Sequence, residues 1–330
     1  MHKLTDSFHR PIRYLRLSVT DQCDLRCHYC IPKGYTAFKE PEEWLRFDEI
    51  ERLVRLFADA GISSLRITGG EPLLRKNLPE LVHGLAGLPG LNDLSLSTNG
   101  LGLRRQATQL KTAGITRVNI SLDSLLPERF ATITGGKLYK VLDGLQAAED
   151  AGFAPIKINM VVMRDINDDE VEPMLEFCLE RGYTLRYIET MPVGHTGRLA
   201  SKHYLSLQSV KQKLIQRYQM MPELPTSEQH GMGPARYLRA PNSNARVGFI
   251  TPISEHFCDS CNRVRLAVDG TLYPCLGQND AVALGQLIRN GADDQQLFDA
   301  IQHTIAEKPQ RHEFNGKPEQ ILRFMSVTGG

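Results

Sequence analysis

The chain has 330 residues, with 39 basic against 38 acidic side chains, a net charge of +1 and seven cysteines. Such a length can bury a large α/β core, and the balanced charge excludes a global attraction to nucleic acid, membrane or acidic partners, so any anion must be bound locally. Seven cysteines are too few, and odd in number, for a disulfide framework. The opening residues MHKLTDSFHRPIRY lack the apolar core of a signal peptide, and no stretch approaches the ~18 apolar residues of a membrane span, so a cytoplasmic location is expected.

Short β-rich runs alternate with amphipathic stretches over the first two-thirds of the chain, the pattern of repeated βα units. In chain order the sequence predicts strand 14–19, helix 47–60, strand 64–68, helix 78–85, strand 93–97, helix 103–113, strand 117–121, helix 139–151, strand 156–161, helix 168–181 and strand 184–188. Gly61, Gly114, Gly152 and Gly182 follow four of these helices, as residues just past a helix end often do. The expected fold class is α/β, six βα units in one parallel sheet, either open or an incomplete barrel, with functional groups at the C-terminal strand ends. After Met191 the alternation stops. A stretch rich in Gly, Pro, His and Met at 222–233 puts the expected boundary there, giving a barrel domain at 1–221 and a C-terminal region at 222–330.

Six of the cysteines form two triplets, Cys23/Cys27/Cys30 and Cys258/Cys261/Cys275, while Cys178 sits in a helical pattern and reads as a buried small hydrophobe. The first triplet follows the first strand directly, so three thiolates converge from one loop. Three cysteines on an iron-sulfur cluster leave one iron open for another ligand. A structural zinc favours paired CxxC elements and four closed ligands, from which CxxxCxxC departs. Strand 64–68 then runs into Gly69-Gly70-Glu71-Pro72, a turn whose glycines let backbone approach a ligand. The second triplet leaves two readings open: a structural zinc with His256 or His230 as fourth ligand, or a second open-iron 4Fe-4S cluster. Between its cysteines lies Asn262-Arg263-Val264-Arg265-Leu266, which sets two guanidiniums on one side of an extended segment. Arg16, Arg66 and Lys157 fall on predicted strands, and clustered cations of this kind suit phosphate. His195, His203 and His230 receive no role.

The cysteine loop and the GGEP turn resemble the radical SAM superfamily, with Tyr29 in its aromatic position. More closely, Leu15 to Cys23, Arg66 to Pro72, Ser97 to Gly100, Asn119 to Asp123, the second triplet and the terminal Gly329-Gly330 are similar to the GTP 3′,8-cyclase family across essentially the whole chain. That resemblance implies a partial (β/α)6 barrel of TIM type, two 4Fe-4S clusters and S-adenosylmethionine (SAM), with Cys23, Cys27 and Cys30 on one cluster and Cys258, Cys261 and Cys275 on the other. It implies Tyr29, Gly70, Ser121 and Met191 at SAM, and Arg16, Arg66, Ser97, Lys157, Arg263, Val264 and Arg265 at GTP. Arg16, Arg263, Arg265, Gly329 and Gly330 are the implied catalytic group. The implied reaction is radical attack of ribose C3′ on guanine C8, opening molybdenum cofactor biosynthesis. The implied partners are GTP, an electron donor and a downstream cyclic pyranopterin monophosphate synthase, with a homodimer as one option. Ser97 stands where Thr is frequent, and Thr328 where an apolar residue commonly precedes the tail glycines. Two other readings stand beside this one: a radical SAM peptide-modifying or dehydrogenating enzyme, and a zinc-stabilised nucleotide-binding module.

Overall fold

The computed structural model describes residues 3–223, 233–241, 245–314 and 318–329. Six strands, β1 (Tyr14–Ser18), β2 (Ser64–Thr68), β3 (Asp93–Thr98), β4 (Arg117–Ser121), β5 (Ile156–Val162) and β6 (Thr184–Glu189), pair in parallel and in sequence order. Their connections carry α1 (Phe47–Asp59), α2 (Leu78–Ala86), α3 (Leu103–Ala113), α4 (Pro127–Thr134), α5 (Leu138–Asp150) and α6 (Val171–Glu180). The helix α4 was not anticipated, because its eight residues carry few apolar positions and Pro127 reads as a turn, although proline is well suited to a first helical turn.

Alternation along each strand explains the layering. On β1, Leu15 and Leu17 are fully buried in the apolar core with the helices, while Arg16 between them points to the opposite face. Gly114 closes α3 at φ 121°, and a Cβ there would sit 2.5 Å from Cβ of Ala86, so only glycine fits this helix end. Cys178 is fully buried in α6, as its helical setting suggests.

Beyond β6 lie α7 (Gly194–Ala200), α8 (Leu207–Tyr218), β7 (Met221–Pro222), β8 (Arg236–Arg239), β9 (Arg246–Ile250), β10 (Arg263–Leu266), β11 (Thr271–Tyr273), β12 (Val282–Ala283), α9 (Leu284–Arg289), α10 (Asp294–Ala306) and α11 (Met325–Thr328). These strands extend the same sheet at both edges, giving the order β12-β11-β10-β1-β2-β3-β4-β5-β6-β9-β8-β7. The parallel run is therefore longer than six: β10 lies parallel to β1 and β9 parallel to β6. Local periodicity cannot reveal such pairings, since they join segments far apart in the chain. No helix among the described residues is long and apolar enough to cross a membrane.

Candidate active site

Cys23, Cys27 and Cys30 line one cavity at the C-terminal ends of the strands, together with Tyr29, Gly70, Ser121 and Met191. The cysteine loop is held by backbone: Arg26 N–H donates to the Thr134 carbonyl at 2.8 Å and His28 N–H to Ile133 at 3.0 Å, both at the end of α4. The GGEP turn is stitched to the same loop. Gly70 N–H donates to Thr20 O at 2.7 Å, Glu71 N–H donates to Gln22 O at 2.8 Å, and a Cβ on Gly70 would lie 2.3 Å from Gln22 O. Close backbone approach is thus the local reason for that glycine.

Two buried carboxylates organise this chamber. Glu71 accepts from Thr98 Oγ1 and Asn99 N–H, each at 2.7 Å, tying the end of β2 to the end of β3. Asp123 accepts from Tyr29 Oη at 2.6 Å and from Val161 N–H at 2.8 Å, which fixes the tyrosine ring beside the cysteines. Burial pushes Glu71 up to about 7 and Asp123 up to about 6. Burial likewise pushes the Cys23 and Cys30 thiols up to about 12, and Cys27 well above its ordinary value. Such thiols stay protonated until a metal's charge displaces the proton. The chamber's described lining holds Asp123 and Glu189 and no Lys, Arg or His.

Cys258, Cys261 and Cys275 line a second cavity, whose charge is opposite. Its described lining carries Arg16, Arg66, Arg186, Arg263, Arg265 and Lys308, and no carboxylate. The register explains the convergence. Arg265 on β10, Arg16 on β1 and Arg66 on β2 are direct partners in one row, so all three side chains leave the sheet on the same face. Arg186 arrives from β6, opposite Gly248 of β9, where a Cβ would lie 2.9 Å from the arginine's own Cγ. Burial holds the Arg66 guanidinium down at about 9, and Arg265 well below its usual range. In Cys261, burial raises the thiol, but Lys308 and Arg263 outweigh it and bring it to about 7.

The two cavities have Ser97, Asn159, Ile188 and Met191 in common, so the two triplets face one interior. The C-terminal tail enters there too. On α11, the Ser326 backbone N–H faces the Cys30 thiol and partly offsets the upward push of burial on it. Arg265 Nη1 donates to Thr328 O at 3.2 Å and also to Gly329 O. Gly329 has φ 73°, and a Cβ on it would sit 2.2 Å from Thr68 Cγ2 at the end of β2. Thr328 is fully buried and its hydroxyl has no hydrogen-bond partner.

Not every expected residue reaches the chambers. Val264 points away from Arg263 and Arg265 into the apolar core, as strand alternation demands. Lys157 is buried 5.9 Å from the Tyr237 ring and does not line either cavity. Gly330 and His230 lie outside the described residues. Sequence reasoning missed Arg186, Lys308, Asp123 and Glu189. For Arg186 the signal was present: TLRYIE sets an arginine between apolar neighbours, just as YLRLS does for Arg16 and SLRIT for Arg66.

The donor sets can be tested against the groups the resemblance implies. Among the described residues, the one set of three Cys, His or carboxylate ligand atoms lying mutually within 4.8 Å is His256, Cys258 and His312. Neither triplet therefore has its three sulfurs that close. A single tetrahedral ion, with Zn–S bonds of ~2.3 Å, needs sulfurs only about 3.8 Å apart. The wider spread suits a cluster with its irons at separate corners, and both triplets stop at three thiols.

Two family models match the chain: the Radical SAM superfamily over residues 17–178 and Molybdenum Cofactor Synthesis C over 183–314. The GTP 3′,8-cyclase of Hydrogenovibrio crunogenus is 43% identical over 331 aligned positions, covering 99% of each chain. GTP 3′,8-cyclase 1 of Pseudomonas aeruginosa is 46% identical, with 97% of each chain covered. Among solved structures, Streptococcus suis SuiB bound to precursor peptide SuiA superposes with a TM-score of 0.61 at 15% identity, covering 94% of this chain and 68% of that one. SuiB bound to S-adenosylmethionine gives a TM-score of 0.60 at 16% identity, covering 88% and 68%. At those identities the likeness to SuiB concerns the fold alone.

Proposed function

The chain belongs to the GTP 3′,8-cyclase family of radical SAM enzymes, and from that premise we propose how its residues divide the work. The reaction joins C3′ of the GTP ribose to C8 of guanine, giving 3′,8-cyclo-7,8-dihydro-GTP, the first step of molybdenum cofactor biosynthesis. Cys23, Cys27 and Cys30 hold the 4Fe-4S cluster to which SAM binds, and Cys258, Cys261 and Cys275 hold a second 4Fe-4S cluster. When bound, the first cluster and SAM supply the carbon radical that takes the C3′ hydrogen, and the second cluster offers an open iron to the guanine.

The observation that carries this reading is the pairing of charge. Among the described residues, one thiol chamber is lined by carboxylates and no cation, the other by six cations and no carboxylate, and they share a wall. SAM brings a sulfonium and an ammonium, which fit beside Asp123 and Glu189. A triphosphate brings several negative charges, which fit Arg16, Arg66, Arg186, Arg263 and Arg265, with Lys157 adding field from behind. Gly70 and Ser121 present small surfaces to SAM, Tyr29 is oriented by Asp123, and Ser97 and Met191 stand at the junction of both ligands. Val264 contributes through its place between two arginines and not through its side chain. The Gly329 carbonyl on Arg265 holds that guanidinium in the chamber. The C-terminal region from 222 onward completes the nucleotide site, adding Arg263 and Arg265 to Arg16, Arg66 and Arg186 of the barrel. A radical attacks almost any nearby C–H bond, so enclosure and positioning are what these residues provide.

A second reading of the C-terminal site rests on His256, Cys258 and His312, which lie close enough for one ion. It leaves Cys261 and Cys275 outside that group. Metal analysis of anaerobically purified protein separates the two: about eight iron and eight sulfide per chain supports two clusters, whereas about four iron with one zinc replaces the second cluster by zinc.

A further inference from the structure

Of the six cations lining the cavity around Cys258, Cys261 and Cys275, Lys308 is the most deeply buried, at 2% exposure, and the division of work above gives it no part. It follows α10 and reaches back across the site, where its ammonium donates to the Arg263 carbonyl at 3.1 Å and to the Pro274 carbonyl. Arg263 lies two residues after Cys261, and Pro274 immediately precedes Cys275, so one side chain ties together the two segments that bring those thiols. We propose that Lys308 is a positioning residue of the second site: it holds the Cys261 and Cys275 segments in place, and its charge makes the cluster bound there easier to reduce. The inference rests on the reading of Cys258, Cys261 and Cys275 as ligands of a 4Fe-4S cluster.

The uncompensated charge is the first argument. Both hydrogen-bond acceptors of the ammonium are neutral carbonyls, and the cavity carries no carboxylate among the described residues. A buried ammonium held only by neutral groups keeps a desolvation cost that an adjacent anion offsets. Arg10 makes the contrast. It is also buried, and its Nη1 donates to the Cys258 carbonyl at 2.7 Å, but Asp6 matches its charge at 2.6 Å. Arg10 thus holds the third cysteine segment with no net charge, whereas Lys308 holds the other two and leaves a positive charge beside the thiols.

The nature of the missing anion is the second argument. Three thiolates on an oxidised 4Fe-4S core make a monoanion, and one added electron makes it a dianion. A neighbouring cation stabilises the dianion more, so it raises the potential, and a buried site screens that effect little. Groups around a metal centre that hold its ligands commonly tune it in this way. A triphosphate is the other anion suited to this cavity, but a phosphate ligand needs donors free to turn toward it. Two of the three hydrogens of the Lys308 ammonium are already committed to carbonyls. In the step affected, the reductant loses one electron and the cluster gains it; no bond or proton changes place.

The test follows stepwise reduction of the anaerobically prepared holoenzyme by titanium(III) citrate, read by electron paramagnetic resonance without nucleotide. The signal that persists in the Cys23→Ser, Cys27→Ser, Cys30→Ser chain belongs to the second cluster, and the other signal is an internal control. Lys308→Gln keeps two N–H donors for the carbonyls and removes the charge. At a fixed solution potential it should lower the ratio of reduced to oxidised second cluster about tenfold, a shift of about 59 mV for one electron, and leave the first cluster within about twofold. Lys308→Arg restores the charge and should return the ratio to within about threefold of the parent. An unchanged ratio in Lys308→Gln overturns the inference, most plainly if GTP affinity falls instead, and so does an equal drop in both variants. Should Lys308→Gln retain no second cluster, iron content decides. About eight iron per chain in Lys308→Arg against about four in Lys308→Gln supports the need for charge, and about four in both overturns it. If the parent itself holds no iron beyond the first cluster, the reading of the second triplet has failed, and the inference fails with it.

Discussion

The two cysteine triplets place the same donor atoms in opposite electrical settings. Around Cys23, Cys27 and Cys30 burial is reinforced by acidic neighbours: Asp123 beside Cys27, and Glu71 and Asp24 beside Cys23 all push the thiols up. Around Cys261 burial works the same way but is overcome by Lys308 and Arg263, and Arg10 donates to the carbonyl of Cys258 at 2.7 Å. Thiol number alone would make these sites alike. Their surroundings suit one to a cationic ligand and the other to an anionic one, and under the proposed function the shared wall lets the two ligands meet.

The sharpest way to break this comparison is to remove one ligand from each triplet. Cys23→Ser should abolish SAM cleavage, whereas Cys258→Ser should spare much of it and lose cyclisation; anaerobic assays for 5′-deoxyadenosine and cyclised GTP read the two separately. Equal retention of cyclised product in both variants would remove the division of labour. Next in size is Arg186→Ala, which takes one guanidinium from the cationic chamber. GTP affinity should drop about tenfold or more, with SAM binding unchanged by equilibrium dialysis.

Lys157 offers a finer test through pH. Burial, with Arg186, Arg117 and Arg66 nearby, holds its ammonium down at about 6, against an ordinary value of 10.5. It is therefore neutral at pH 7 in the free protein, and a triphosphate restores its charge, so GTP binding takes up a proton. Affinity should fall as pH rises above about 6, and Lys157→Met should flatten that slope, as calorimetry in buffers of different ionisation enthalpy would reveal. The sign for stability runs the other way. Between the folded and unfolded values the unfolded chain binds more protons, so stability rises with pH across that window. Lys157→Met should accordingly raise the melting temperature of the unliganded protein by about 2 °C or more at pH 7. The smallest expected effect is at the tail: Thr328→Val removes a buried hydroxyl that has no partner and should stabilise by about 1 kcal/mol, seen as slower proteolysis of the C-terminus.

Much of this was legible in the chain. The six parallel strands follow from periodicity and from glycine stops, and their observed ends fall within a residue of expectation. The first cysteine loop was legible because its three cysteines sit within eight residues of one another after a strand. The cations were legible one at a time, as arginines in otherwise apolar strands, but Arg186 was passed over although TLRYIE has the same form as SLRIT. Lys308 and Glu189 offered no comparable signal. Lys308 follows α10 and donates to the Arg263 carbonyl at 3.1 Å across a long span of chain, and Glu189 gathers Ser254 N–H and Ile253 N–H, each at 3.0 Å, from a loop beyond β9. Val264 shows the converse: adjacency in sequence to two arginines put it among the expected contacts, and strand alternation turned it into the core.

By itself the sequence determined the six parallel strands and most of the helices between them, where the two cysteine triplets lie, and which family the chain resembles, because these depend on spacing over a few residues and on motifs read in order. Only the tertiary structure decided that β9 and β10 flank the barrel on opposite edges, that Arg265, Arg16 and Arg66 stand in one row, and that the tail reaches Arg265. Those facts rest on pairings between segments up to about 250 residues apart, such as Arg16 with Arg265, set by sheet register and burial of the apolar face, and no local pattern encodes them.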